Sequence, residues 1–365
     1  MRIVFVSPRA WDVATNRPGI HGGAELQVTR LARALAARGH AVTILTEGDP
    51  AHEAEVVMGV RVRQGWSPKQ GLPFFGIFVA AKRLGDVIRS ERPDVVILRA
   101  ASPFVGLLAD QAGRDGHRFV FMTSNDSNVD GRWEASANWR DRFLYRRGVT
   151  RAHLVITQTG EQTSRLSERF HVRGFRLHSA VPVLPQPAPI IQPDHVFWAG
   201  RFEPHKRPHL LLDLAHRAPD LTFRVAGWMP GNSDYARQFE EAGRQVSNIE
   251  LVGHLSPVEM ESGYLHAIAL LSTAAHEGVS NTFLEAWRLG LPVVSMGSDP
   301  DGAIQQFDLG AYTADPDEVV AALRQIRDDP DRRAILAATT RRYMERHEEP
   351  LVVAQLESRL MEIIS

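Results

Sequence analysis

Short, unbroken apolar runs recur along this chain, each followed by a stretch with helical spacing. No other feature narrows the available folds as much. Residues 3–6, 41–45, 94–98, 118–122 and 154–157 have the length of strands and too few polar positions for a face in water. Between the first two lies AELQVTRLARALAARGH, with Leu26, Leu31 and Leu35 near one helical face and Gly39 as a stop signal. Strand, helix, strand is the unit of a parallel sheet, because parallel neighbours need a long crossover.

The alternation breaks once. Residues 181–194, VPVLPQPAPIIQPD, carry Pro182, Pro185, Pro187, Pro189 and Pro193. Proline removes backbone donors and fixes φ, so this reads as a stiff linker. The alternation then restarts, with strands expected at 195–199, 221–226, 249–252, 267–272 and 293–295 and a helix at 208–216. The chain therefore divides into a first α/β domain, 1–180, the linker, and a second α/β domain, 195–345. A C-terminal helix over 346–365 is expected to pack back on the first domain. A chain of 365 residues is long enough for two cores.

Composition excludes several classes. With no cysteine, disulfides, thiolate metal sites and a cysteine nucleophile are ruled out, which fits a cytoplasmic protein. A formal net charge of −1 gives no pull toward nucleic acid. The opening MRIVFVSPRAW is too short in apolar residues for a secretion signal, and no run reaches the ~20 of a membrane span. Two segments are candidates for peripheral contact with the inner face of a membrane: residues 72–83, LPFFGIFVAAKR, and residues 138–151, NWRDRFLYRRGVTR. For the second, a surface helix that turns its aromatics inward accounts for the same pattern.

The chemistry concentrates beyond the expected strand ends, where open parallel sheets bind ligands. In HEGVSNTFLEAWRLGLPVV a strand gives way to a helix expected to begin near Ser280 to Thr282. Helix-start amides lack internal partners and attract anions. Glu277 precedes this helix, and Glu285 is expected in its first turn. A capping box between Thr282 and Glu285 would explain Glu285 without a ligand, but Glu277 has no such explanation. Two carboxylates flanking a phosphate-ready helix start suit a nucleotide sugar, with hydroxyls at both ends of a diphosphate. Countercharge is available in AGRFEPHKRP, where Arg201 and Lys206 follow a strand. In RPGIHGGAELQ, Gly22 and Gly23 open a helix and would let a ligand approach the backbone, though the spacing of a dinucleotide fingerprint is missing. The repeated Asp-Pro-Asp units read as helix starts, and only Asp299 with Asp301 falls at a strand end; no metal is expected.

These segments resemble retaining glycosyltransferase family 4. HEGVSNTFLEAWRLGLPVV resembles its E-x7-E segment, GRFEPHKRP its G-R-x-x-x-x-K-x-P loop, and HGGAELQVTRLARALAARGHAVTILT its first glycine-rich loop and helix. The resemblance implies the GT-B fold: two Rossmann-like domains whose parallel sheets face a cleft. It implies transfer of a sugar from a nucleotide-diphosphate-sugar, as substrate rather than cofactor, to an unknown acceptor hydroxyl, with retention and without metal. Glu285 would hold the ribose, and Gly278, Val279, Ser280, Asn281 and Thr282 the phosphate and sugar. Glu277 would contact the sugar hydroxyls, and Arg201 and Lys206 would stabilise the leaving diphosphate. Gly227 and His254 would border the base, and Gly22 and Gly23 would close over the donor. TSNDSNVDG departs from the family, with Asn125 and Asp126 where many members carry a histidine. Asn125 could donate to a sugar hydroxyl and Asp126 position the acceptor; an Asx turn is the alternative for both. A nucleotide-sugar epimerase of the same fold and a non-catalytic nucleotide-sugar-binding protein are the competing readings. A nicotinamide dehydrogenase is more distant.

Overall fold

A computed structural model describes residues 1–17, 22–67, 76–184, 192–228 and 233–365. Its contacts divide the chain into two compact units, 1–180 with 347–365, and 181–346. Residues 185–191 of the proline-rich segment lie outside the described residues, as do residues 72–75 of the first apolar surface segment.

The first unit is built on eight strands: β1 (Arg2–Val6), β2 (Ala41–Glu47), β3 (Glu55–Val57), β4 (Val60–Trp66), β5 (Val95–Arg99), β6 (Arg118–Met122), β7 (Leu154–Thr157) and β8 (Gly174–Arg176). They lie in the order β3-β4-β2-β1-β5-β6-β7-β8, and only β3 runs antiparallel, against β4. The central strands are buried on both faces, which is why they read as continuous apolar runs. Ile3 and Phe5 enter one core and Val4 and Val6 the other, following the two-residue period of a strand. The C-terminal helix, Glu349–Ile364, contributes Val352, Val353, Leu356 and Leu360 to the first of these cores, one apolar stripe at helical spacing. It contacts the helix Gly23–Ala37, and Glu357 pairs with Arg38 and with His40 (2.6 Å).

The second unit carries six parallel strands: β9 (His195–Arg201), β10 (Phe223–Trp228), β11 (Ile249–Gly253), β12 (Ala267–Ser272), β13 (Val293–Ser295) and β14 (Gly310–Tyr312). Their order is β11-β10-β9-β12-β13-β14. The order reverses at β9, so the loops after β9 and β12 leave the sheet side by side, which is where a doubly wound sheet places a ligand.

The expected strands are present. β3, β4, β8 and β14 were not legible, and the expected helix at 208–216 is Leu210–Arg217, preceded by a 3-10 turn at Pro204–Lys206. β3, β8 and β14 are three-residue edge strands, too short to show a period. β4 alternates, with Val60 and Val62 buried and Arg61 and Arg63 facing outward, so it lacks the unbroken apolar run.

Candidate active site

The second unit assembles its site from two neighbouring strand-end loops. After β9 the chain makes the turn Pro204–Lys206, closed by Arg207 in the left-handed region at φ 50°. Arg207 fastens this turn to the loop after β12: its Nε donates to the Thr273 carbonyl (2.6 Å) and one terminal nitrogen to Ala274 O (3.4 Å). Thr273 Oγ1 donates to Lys206 O (2.6 Å) and accepts from the indole of Trp198 (3.0 Å). Every one of these bonds is buried or half-buried, so the two loops are set relative to each other by side chains bonded mainly to backbone carbonyls. Arg207 is structural, and the neighbouring Lys206 is left to face outward.

Lys206 pairs with Glu277, the two sitting half-buried on adjacent loops. Glu277 is fixed from behind, its amide donating to Ser298 Oγ (3.1 Å) and its carbonyl accepting from the same hydroxyl (3.1 Å). Ser295 Oγ donates to Ser298 O (2.7 Å), tying this support to the end of β13. Lys206, Glu277 and Thr282 line a shallow, open concavity together with Trp198, Ser272 and Thr273. Arg201, side chain 53% exposed, pairs with Glu203 (2.7 Å), and His205 reaches the same carboxylate (3.3 Å). Burial, with Lys206 beside it, holds the His205 imidazole below its usual range, so it is neutral at pH 7. The cations here are Arg201 and Lys206.

The helix after Glu277 is Asn281–Leu289, ended by Gly290 in the left-handed conformation that glycine tolerates best. Two expectations about it are corrected. With Ser280 as N-cap, Glu285 lies beyond the first turn, so it is not a dipole partner at the helix start. No capping box forms: Ser280 makes no side-chain cap bond, and its Oγ faces Thr282 Oγ1 at 2.8 Å instead. The amides of Thr282 and Phe283, which a cap would satisfy, receive nothing from the cap side chain. Glu285 has a different partner, accepting from the hydroxyl of Tyr264 on the helix Pro257–Leu265 (3.1 Å). Burial and the Glu285 charge hold the Tyr264 phenol well above the usual range, so it stays a donor.

Gly278, Val279 and Asn281 are half-buried in the same loop and helix start. Gly227 sits at the end of β10 opposite Gly200, where a Cβ would collide with Gly200 O. This gives Gly227 a packing reason in addition to any ligand. His254, after β11, stacks edge-on against Trp228 (5.9 Å), so Trp228 joins the group of residues at these strand ends. Sequence reasoning passed over Trp228, although an aromatic right after Gly227 at a strand end was its signal.

In the first unit, Gly22 caps the helix Gly23–Ala37, and a Cβ on it would meet Glu25 Oε2 at 2.7 Å. Asn125 makes the Asx turn: its Oδ1 accepts from Ser127 N (3.0 Å), Ser127 Oγ (2.6 Å) and Asn128 Nδ2 (3.3 Å). Asp126 accepts from Gln162 Nε2 (2.9 Å), and burial raises its carboxyl above the usual range. Asp299 is turned to the backbone, accepting from Ile304 N (2.7 Å) and Gln305 N (3.3 Å) as a helix cap.

The helix Trp139–Arg151 meets the inward-facing alternative only in part. Leu144 and Tyr145 pack inward, but Trp139 and Phe143 are 74% and 59% exposed. Three of its arginines pair with carboxylates of other elements, Arg147 and Arg151 with Asp110 (both 3.0 Å) and Arg146 with Glu134 (3.4 Å), while Arg142 donates to the carbonyls of Glu134 (3.0 Å) and Ala137 (3.3 Å). Among the described residues, no helix is long and apolar enough to cross a membrane.

Comparison with known proteins agrees with this layout. Residues 21–180 match the model of Glycosyltransferase Family 4, and residues 193–329 that of Glycosyl transferases group 1. A glycogen synthase of Mycobacterium tuberculosis is 26% identical over 389 aligned positions, covering 90% of this chain and 87% of the relative. Sucrose-phosphate synthase from Thermosynechococcus elongatus superposes with a TM-score of 0.79 at 16% identity, covering 99% of this chain and 98% of that one. The Anabaena protein HepE, solved with UDP-glucose, gives 0.74 at 15% identity over 99% and 100%.

Proposed function

We infer from a chain that belongs to the family 4 glycosyltransferases, with their GT-B fold, that it is a hexosyltransferase with a nucleotide-diphosphate-sugar donor and an acceptor hydroxyl. Transfer proceeds with retention and without a metal. The observation that carries this reading is the pairing of Lys206 with Glu277 beside a helix start that lacks a side-chain cap.

The chemical problem is charge. As the glycosidic bond to the diphosphate lengthens, the anomeric carbon becomes cationic and the departing phosphate gains negative charge. Lys206, Arg201 and the amides of Thr282 and Phe283 meet that charge with donors that need little reorganisation. When the diphosphate enters, Lys206 exchanges the Glu277 carboxylate for phosphate, and Glu277 is freed toward the sugar hydroxyls. Glu285, held by Tyr264, takes the ribose diol. Gly227, Trp228 and His254 border the base. Retention without a nucleophile fits a front-face path, in which the leaving phosphate oxygen accepts the acceptor proton. The epimerase and the non-catalytic readings have no structural feature in their favour.

A thermal-shift panel of nucleoside diphosphates and their sugars tests the donor. A ligand at ~100 times its dissociation constant stabilises by about 2.7 kcal/mol. One nucleoside diphosphate is expected to stabilise the protein, and its sugar is expected to be consumed equally with and without a metal chelator. A chelator-sensitive rate would remove the metal-free step, and no stabilisation by any nucleotide would remove the donor site itself.

A further inference from the structure

The first unit holds a charge that the donor chemistry does not use. Arg99 is the last residue of β5 and, among the described residues, the only arginine in the buried class, at 7% exposure. The hydrogen-bond network orients the Gln158 amide, at the end of β7, with its oxygen toward Arg99: in that orientation Oε1 accepts from Arg99 Nη2 (2.7 Å) and Ser179 Oγ (2.9 Å), and the amide nitrogen donates to Ser124 O (3.0 Å) after β6. Arg99 Nε has no partner, and no carboxylate of a described residue lies within ion-pair distance of the guanidinium. Burial brings the guanidinium down to about 10, opposed by the charge of Glu25.

Compare Arg207, whose guanidinium is spent on two backbone carbonyls. Arg99 is held by a neutral amide, and its Nε has no partner. A buried guanidinium with no ion-pair partner is costly, and a bound anion would offset that cost. The neighbouring backbone is strained as well: Ala100 takes φ 80°, a region that costs a non-glycine residue ~1–2 kcal/mol. The place is the carboxyl edge of β5, β6 and β7, where this sheet type binds ligands.

We propose that Arg99 anchors an anionic group of the acceptor, so that the sugar is transferred to a hydroxyl compound bearing a phosphate or a carboxylate. Gln158, fixed between Ser124 and Ser179, presents the guanidinium, whose remaining donors grip the anion as a fork. This rests on the glycosyltransferase reading and adds the chemical class of the acceptor.

The test uses the full-length protein saturated with the nucleoside diphosphate that binds it, so that the donor site is filled. Inorganic phosphate, a hexose monophosphate, a hexuronate and the neutral hexose are then titrated at constant ionic strength. An anionic compound is expected to raise Tm where the neutral hexose does not, and the stronger of the phosphate and carboxylate arms identifies the group. Arg99→Gln is expected to weaken that binding by about tenfold or more while nucleotide affinity stays within about twofold. If Arg99→Gln fails to fold, Arg99→Lys keeps the charge without the fork and is expected to bind the anion several-fold more weakly. Nucleotide binding with no anion effect in the wild-type protein overturns the proposal and leaves the donor site standing; so does unchanged anion affinity in the variants. Failure to bind any nucleotide would instead overturn the donor reading.

Discussion

The two units handle positive charge in opposite ways. In the second, Lys206 and Arg201 stand half-buried or exposed, each facing a carboxylate, Glu277 or Glu203. In the first, Arg99 is buried at the end of β5 against a neutral amide. The Lys206–Glu277 pair is half-buried but still reached by water, so an incoming diphosphate can replace the carboxylate as the partner of Lys206 without leaving that charge unpaired. A buried guanidinium has already lost its water when the fold forms. On the proposed reading, the contrast separates a site that would trade partners during each turnover from one preset for a single kind of ligand.

The sharpest way to break this contrast is to remove Lys206. Lys206→Ala is expected to lower kcat by ~100- to 1,000-fold, by analogy with losing one oxyanion donor, and Arg201→Ala by a comparable or smaller factor. Tm is expected to change little in either variant. A large loss of Tm with wild-type turnover in the surviving protein would make the pair structural.

Tyr264→Phe tests the opposite end of the same site. Removing the donor to Glu285 deletes one hydrogen bond to a charged group, worth ~1.5 kcal/mol or more, so the nucleotide Kd should rise by about tenfold. Calorimetry showing unchanged affinity together with a changed rate would take Glu285 away from the ribose.

The smallest effect concerns Asp126. Its carboxyl is raised by burial, so the folded protein binds this proton more tightly than the unfolded chain. Ionised Asp126 therefore costs stability at pH 7, and the cost disappears as pH falls through the raised value toward the ordinary one. Asp126→Asn keeps an acceptor for Gln162 and should raise Tm by about 1–2 °C at pH 7, with the gain vanishing near pH 4. A lower Tm at pH 7 in scanning calorimetry would contradict that sign.

Much of this was legible in the sequence because burial on both faces writes itself as an apolar run. Residues 118–122, 154–157, 267–272 and 293–295 are strands to the residue. Arg201 at the end of β9 and the loop residues Lys206 and Glu277 were readable because strand ends in this fold are where side chains escape packing. What the sequence hid was pairing across distance. Glu277 and Lys206 lie 71 positions apart, and Tyr264 and Glu285 meet only because the helices Pro257–Leu265 and Asn281–Leu289 pack together. Thr282 and Glu285 had the spacing of a capping box, but the helix begins two residues earlier than that box requires, with Ser280 rather than Thr282 as N-cap. Arg99 follows the expected strand 94–98 and drew no reading from the sequence; residues beyond β6, β7 and β8 pack against it.

The most direct measurement is a crystal structure of the protein with its nucleoside diphosphate. The account predicts the terminal phosphate at hydrogen-bond distance, about 2.7–3.2 Å, from Lys206 Nζ and from the amide of Thr282 or Phe283, with the Lys206–Glu277 pair opened. Phosphates bound elsewhere, with that pair intact, would contradict it.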